Sequence, residues 1–88
     1  MPLISHFYGI MIQIFSEEGG KHHKPHFHAR YAEHRAVFDL GGNCIAGELP
    51  PKQRKLIEAW VVINTDELSA AWQAWQEFGE VIKIKGLS

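Results

Sequence analysis

The period of the apolar residues changes once along this chain, and that change decides its fold class. Between His26 and Leu40 they recur at every second position, the period of a half-buried strand. From Lys52 to Phe78 they recur at helical spacing. Strands from about His26 to Ala32 and from Arg35 to Leu40, joined by a Glu33-His34 turn, bring Phe27, Ala29, Tyr31, Ala36, Phe38 and Leu40 onto one face. This register sets Tyr31 against Ala36, Ala29 against Phe38 and His28 against Asp39. A slip of one residue would scatter the apolar set, so the pattern supports the pairing. Glu-His is not a favoured pair for a tight primed turn, and a longer loop of the same parity serves equally well.

The remaining segments extend this plan. Phe7 to Phe15 alternates as a first strand, with Tyr8, Ile10, Ile12 and Ile14 on one side and Gln13 on the other. Glu17 to Pro25 is a polar loop, Gly41-Gly42-Asn43 a turn, and Cys44-Ile45-Ala46 a short fourth strand. Pro50-Pro51 suits a helix start. The first helix carries Leu56, Ile57, Trp60, Val61 and Ile63 on its stripe, with Arg54, Lys55 and Glu58 off it. Asn64 and Glu67 have the spacing of a capping box for a second helix. That helix places Leu68, Ala71, Trp72, Trp75 and Phe78 on one stripe and stops at Gly79. Val81 to Lys85 is a candidate last strand or an extended tail. The expected fold is α+β: a small antiparallel sheet of three to four strands, then two amphipathic helices, as one domain over residues 1–88.

Composition sets the function classes. With 88 residues there is room for a single core. The apolar fraction of 45% and charged fraction of 22% are those of a folded domain. A formal net charge of −1 argues against a general electrostatic grip on nucleic acid, although a local basic patch is compatible with it. Cys44 is the sole cysteine, so no intramolecular disulfide forms and a reducing compartment is expected. The opening Met1-Pro2-Leu3-Ile4-Ser5-His6 lacks a signal-peptide pattern, and no apolar run approaches a membrane span. The cytoplasm is the expected location, with no membrane partner.

Chemistry concentrates in the histidines. Four of six lie in His22-His23-Lys24-Pro25-His26-Phe27-His28. The strand period puts His26, His28 and Arg30 on one side, away from the apolar face, and the register above adds Asp39 across from His28. Three readings of these four residues stay open. One is a solvated polar face, as antiparallel sheets normally have. Another is a metal site, with His26 and His28 joined by His22 or His23 from the loop and completed by Asp39 or a water. Zinc is then the candidate metal, and no other cofactor is expected. The third is an anionic-ligand or phosphodiester site. There Arg30 holds a phosphate, His26 or His28 acts as acid and base, and Asp39 fixes the tautomer of His28, which suits a small metal-free ribonuclease. Cys44 reads as a structural thiol, and Trp60, Trp72 and Trp75 as packing residues of the core or of a homodimer surface. Lys52-Gln53-Arg54-Lys55 is a basic first helical turn, usually a solvated face but able to touch phosphates or an acidic partner. No Gly-rich phosphate loop and no Ser-His-Asp constellation is evident.

Several segments together resemble a bacterial family. They are Ile4-Ser5-His6-Phe7-Tyr8-Gly9-Ile10, the run from His22 to His28 followed by Tyr31, Gly47-Glu48-Leu49-Pro50, Trp60, and Glu67-Leu68 with Trp72. The chain resembles the domain-of-unknown-function family numbered 4160 over nearly its whole length. Pro25-His26-Phe27-His28 is the most specific element, with Lys24 standing where the family pattern has a further proline. The resemblance implies a compact α+β fold, a bacterial cytoplasmic setting and a neighbouring gene for a second small protein. That arrangement is toxin–antitoxin-like, and the resemblance supplies no activity. The motif residues it carries over are Pro25, His26, Phe27 and His28, with His22 fitting less firmly. The expected role is therefore a component of a two-protein module that binds a partner or an anionic ligand, RNA included, through His26, His28, Arg30 and Asp39.

Overall fold

The computed structural model describes residues 2–14 and 24–87. Five strands come first: β1 (Leu3–Phe7), β2 (Ile10–Gln13), β3 (His26–Tyr31), β4 (His34–Asp39) and β5 (Cys44–Glu48). Two helices follow, α1 (Pro51–Ile63) and α2 (Thr65–Phe78). The sheet order is β1-β2-β3-β4-β5 with every neighbouring pair antiparallel, a plain meander. The fold is thus α+β, with five strands where the periodicity suggests three or four.

The extra strand comes from the N-terminal segment. The stretch expected as one strand from Phe7 is a hairpin, in which Phe7 pairs with Ile10 around Tyr8-Gly9. Both turn residues have positive φ, 48° at Tyr8 and 78° at Gly9, as a type I′ turn demands. A tyrosine in that conformation hides the turn, because Tyr8 also continues the apolar alternation. Beyond it, Ile4 and Ser5 bulge against β2 and both are buried.

The β3–β4 hairpin turns one residue earlier than Glu33-His34. Tyr31 pairs with His34, so Ala32 and Glu33 form the loop, and Ala32 has φ 52°. The whole register moves by two residues: Ala29 faces Ala36, Phe27 faces Phe38, His28 faces Val37 and His26 faces Asp39. A shift of two keeps every side chain on its face, which is why the apolar side survives although the named partners do not. Phe27 and Phe38 stack across the strands with ring centroids 5.5 Å apart.

One apolar cluster joins this face to the helices. Ile10, Ile12, Phe27 and Phe38 are fully buried against Ile57 and Trp60 of α1 and Leu68 of α2. Trp60 stacks on Phe7 at 5.4 Å and meets Phe27 edge-on at 5.7 Å. Its indole N–H donates to the Lys85 carbonyl at 3.0 Å, so the ring both fills the core and satisfies its polar edge. Pro51 sits in the first turn of α1, as expected. Asn64 and Glu67, in contrast, form no capping box. The Asn64 amide donates back to the Trp60 carbonyl at 3.0 Å and closes α1. Gly79 ends α2 in the left-handed conformation, φ 65°. Ile63 and Phe78, expected on the buried stripes, are exposed, each being the last residue of its helix.

Residues 79–87 contain no strand. The segment is held instead by the Ile84 N–H donating to the Ile4 carbonyl at 2.7 Å and by the Trp60–Lys85 bond. Gly86 runs so close to β1 that a Cβ there would lie 2.8 Å from that of Phe7. Among the described residues no helix is long and apolar enough to cross a membrane.

Candidate functional site

The sheet face opposite the apolar cluster is arranged in rows by the strand register. One row runs Met11, Arg30, Arg35, Glu48 across β2 to β5. The next runs Gln13, His28, Val37, Ala46. Together they line a cleft of about 380 Å³, walled by Gln13, His28, Arg30 and Arg35 and floored by Val37 and Ala46. No helix residue is among its lining. Both arginines are exposed, Gln13 and His28 are half-buried, and Val37 is 9% exposed at the base.

Arg30 and Arg35 are direct cross-strand partners. Like charges facing each other across a strand pair destabilise by up to about 1 kcal/mol. Among the described residues neither guanidinium is ion-paired with a carboxylate. The cleft is therefore cationic at its mouth and apolar at its floor, and it offers paired planar donors to a carboxylate or phosphate.

Of the residues expected to form the site, His28 and Arg30 stand in this cleft. His26 does not. It opens β3 and is 2% exposed, its ring 5.2 Å from that of Trp72 in α2 and edge-on to His28 at 5.3 Å. One ring nitrogen, Nδ1, bonds the Lys24 carbonyl at 2.7 Å. Asp39 faces His26 rather than His28, so the expected His28–Asp39 pair is replaced. Its carboxylate instead organises the β4–β5 turn, accepting the Gly41 and Asn43 N–H groups at 2.9 Å each and the Asn43 amide. Burial pushes the Asp39 carboxyl up, but the bonds from Asn43 and Gly41 outweigh it and hold the pKa below its ordinary 3.8.

His22, the loop ligand of the metal reading, and His23 lie outside the described residues, as does most of the expected polar loop. Among the described residues, no three His, Cys, Asp or Glu side chains gather as a ligand set. Cys44 is half-buried, with Sγ 3.5 Å from the Ala46 carbonyl.

Arg35 is the site residue that the sequence reading overlooks. It was legible as a period-two neighbour of Val37, but only the Ala32-Glu33 turn brings it opposite Arg30. Gln13 and Ala46 join through strand order, which periodicity does not give.

No curated protein and no solved structure matches the chain. A family model does, over residues 9–73, from the β1–β2 turn to the middle of α2. That span holds every residue of the cleft and well over half of the sequence. The chain belongs to the family described as domain of unknown function (DUF4160).

Proposed function

We propose that this protein is the binding component of a toxin–antitoxin-like two-protein bacterial module, and that it holds an anionic surface of its partner in the cleft on the sheet face away from the helices. The observation that carries the reading is the Arg30–Arg35 pair. Two arginines at directly opposed strand positions, neither ion-paired among the described residues although Glu48 follows Arg35 in the same row, are a local liability for the fold, and an incoming anion turns that liability into binding energy. His28 and Gln13 add polar groups beside them, and Val37 with Ala46 gives an apolar contact. This chemistry suits an acidic protein segment better than a nucleic-acid backbone. The floor is apolar, the net charge is −1, and none of the residues lining the cleft is a Phe, Tyr or Trp on which bases could stack.

In the ribonuclease reading His26 or His28 acts as acid and base; His26 is buried against Trp72, which leaves His28 beside Arg30 as the histidine that lines the cleft. Native capture tests the proposal. Immobilised wild-type protein retains a stoichiometric small acidic protein from the cognate lysate, and Arg30→Glu/Arg35→Glu, checked for folding, loses it. Equal capture by both, or capture of RNA alone, refutes the reading.

A further inference from the structure

The occupant that this cleft suits has a counterpart on the chain's own surface. At the corner between α1 and α2, Val62 is 76% and Ile63 66% exposed, two adjacent β-branched residues that no part of the described core covers. Next along the chain come Thr65, Asp66 and Glu67, all exposed. The favourable placing of acids in the first turn of α2 accounts for Asp66 and Glu67, but it does nothing for Val62 and Ile63. No basic residue lies between Glu58 and Glu67. The corner is thus an apolar projection fringed with negative charge. The cleft is an apolar hollow fringed with positive charge.

We infer that a second copy of this chain seats its α1–α2 corner in the cleft, Val62 and Ile63 over Val37 and Ala46, with Asp66 and Glu67 meeting Arg30 and Arg35. In a two-fold dimer each copy supplies one corner and one cleft, so the contact is made twice. The other exposed apolar stretch, Phe78 with Val81 and Ile82, is a poorer match, because Lys83 and Lys85 follow it and would face the arginines. The inference rests on the cleft being an anion-binding surface, as proposed above. It adds that the chain blocks its own cleft until a partner displaces the second copy.

Charge exchange provides the test, read by light scattering or sedimentation of purified full-length protein. Wild type is expected to show a concentration-dependent monomer–dimer equilibrium that weakens as salt rises. Arg30→Glu/Arg35→Glu and Asp66→Arg/Glu67→Arg should each weaken it at least tenfold, and an equimolar mixture of the two variants should restore a heterodimer. Val62→Ser/Ile63→Ser, at exposed positions where folding is not at risk, should weaken it while leaving the charges in place. Wild type that stays monomeric to ~1 mM, a concentration at which even weak specific contacts populate, overturns the inference. So does a mixture that fails to re-associate. Either failure leaves lysate capture by the cleft standing as a separate result, so the two readings fall independently.

Discussion

Replacing Gly47 by alanine should be among the most damaging single-methyl additions this fold can receive, and the structure says by how much. Gly47 lies in β5 opposite Ala36 with φ +73°, a region where an L side chain costs about 1–2 kcal/mol. Alanine recovers part of that, about 0.4–1 kcal/mol, by restricting the unfolded chain, which leaves a net backbone cost near 1 kcal/mol. The larger effect is steric. A Cβ on Gly47 would stand 2.3 Å from the Arg35 carbonyl oxygen and 2.9 Å from the Ala36 Cα. Those are backbone atoms of β4, so relief requires the two strands to part by roughly 1 Å, forfeiting about two ladder hydrogen bonds at ~1 kcal/mol each. The sum is about 3 kcal/mol. For a chain of 88 residues, whose total stability is of order 4–13 kcal/mol, that is a large fraction. Gly79 supplies the matched control. Its φ is +65°, yet nothing lies within 4 Å of where its Cβ would be, so Gly79→Ala should cost only about 1 kcal/mol. Urea denaturation of the two variants separates the backbone cost from the steric one. Free energies of unfolding that agree within about 0.5 kcal/mol would refute the close approach of β4 and β5 at Gly47.

Other perturbations test different parts of the structure. Arg30→Gln should raise stability by a few tenths to about 1 kcal/mol, more at low salt than at high salt, because it relieves the facing arginines; unchanged or lower stability at low salt would count against their juxtaposition. Ala32→Gly should stabilise by about 0.5 kcal/mol, since Ala32 holds φ 52° at the first position of a two-residue loop, and a loss of stability in thermal melts would contradict that turn. For Asp39, the folded pKa lies below the unfolded one, so its contribution to stability is present above the ordinary carboxylate range and lost as pH falls through the depressed value. The stability gap between wild type and Asp39→Asn should therefore narrow as pH is lowered from about 5 toward 2, and a gap that stays constant would show that the turn does not depend on the charge.

The sequence was a good guide to faces and a poor guide to partners, for one physical reason. Alternation has a period of two, so it identifies which residues share a side but is blind to any register shift by an even number. Alternation therefore puts Phe27, Ala29, Ala36 and Phe38 on the core side correctly, yet it pairs His28 with Asp39 where the structure pairs it with Val37. Turn chemistry sets the shift, and here the turns use Tyr8 and Ala32 at positive φ, where neither residue type announces a turn. The helices were easier, because Pro51 and Gly79 mark their ends by steric rules that do not depend on tertiary context. The burial of His26 is hidden from the sequence by the same blindness to context: strand parity assigns it a side, but only the packing of Trp72 shows that this end of the strand is buried.

The chain contains three arginines, and two of them, Arg30 and Arg35, are those assigned to the partner. Arginine-selective modification of the complex captured from cognate lysate, with mass spectrometry read at each site, therefore tests the binding face with Arg54 in α1 as an internal reference. Compared with free protein dilute enough to be monomeric, Arg30 and Arg35 should be protected in the complex while Arg54 reacts equally in both. Protection of Arg54 with Arg30 and Arg35 still reactive would place the partner on the helical side and contradict the assignment of the sheet face.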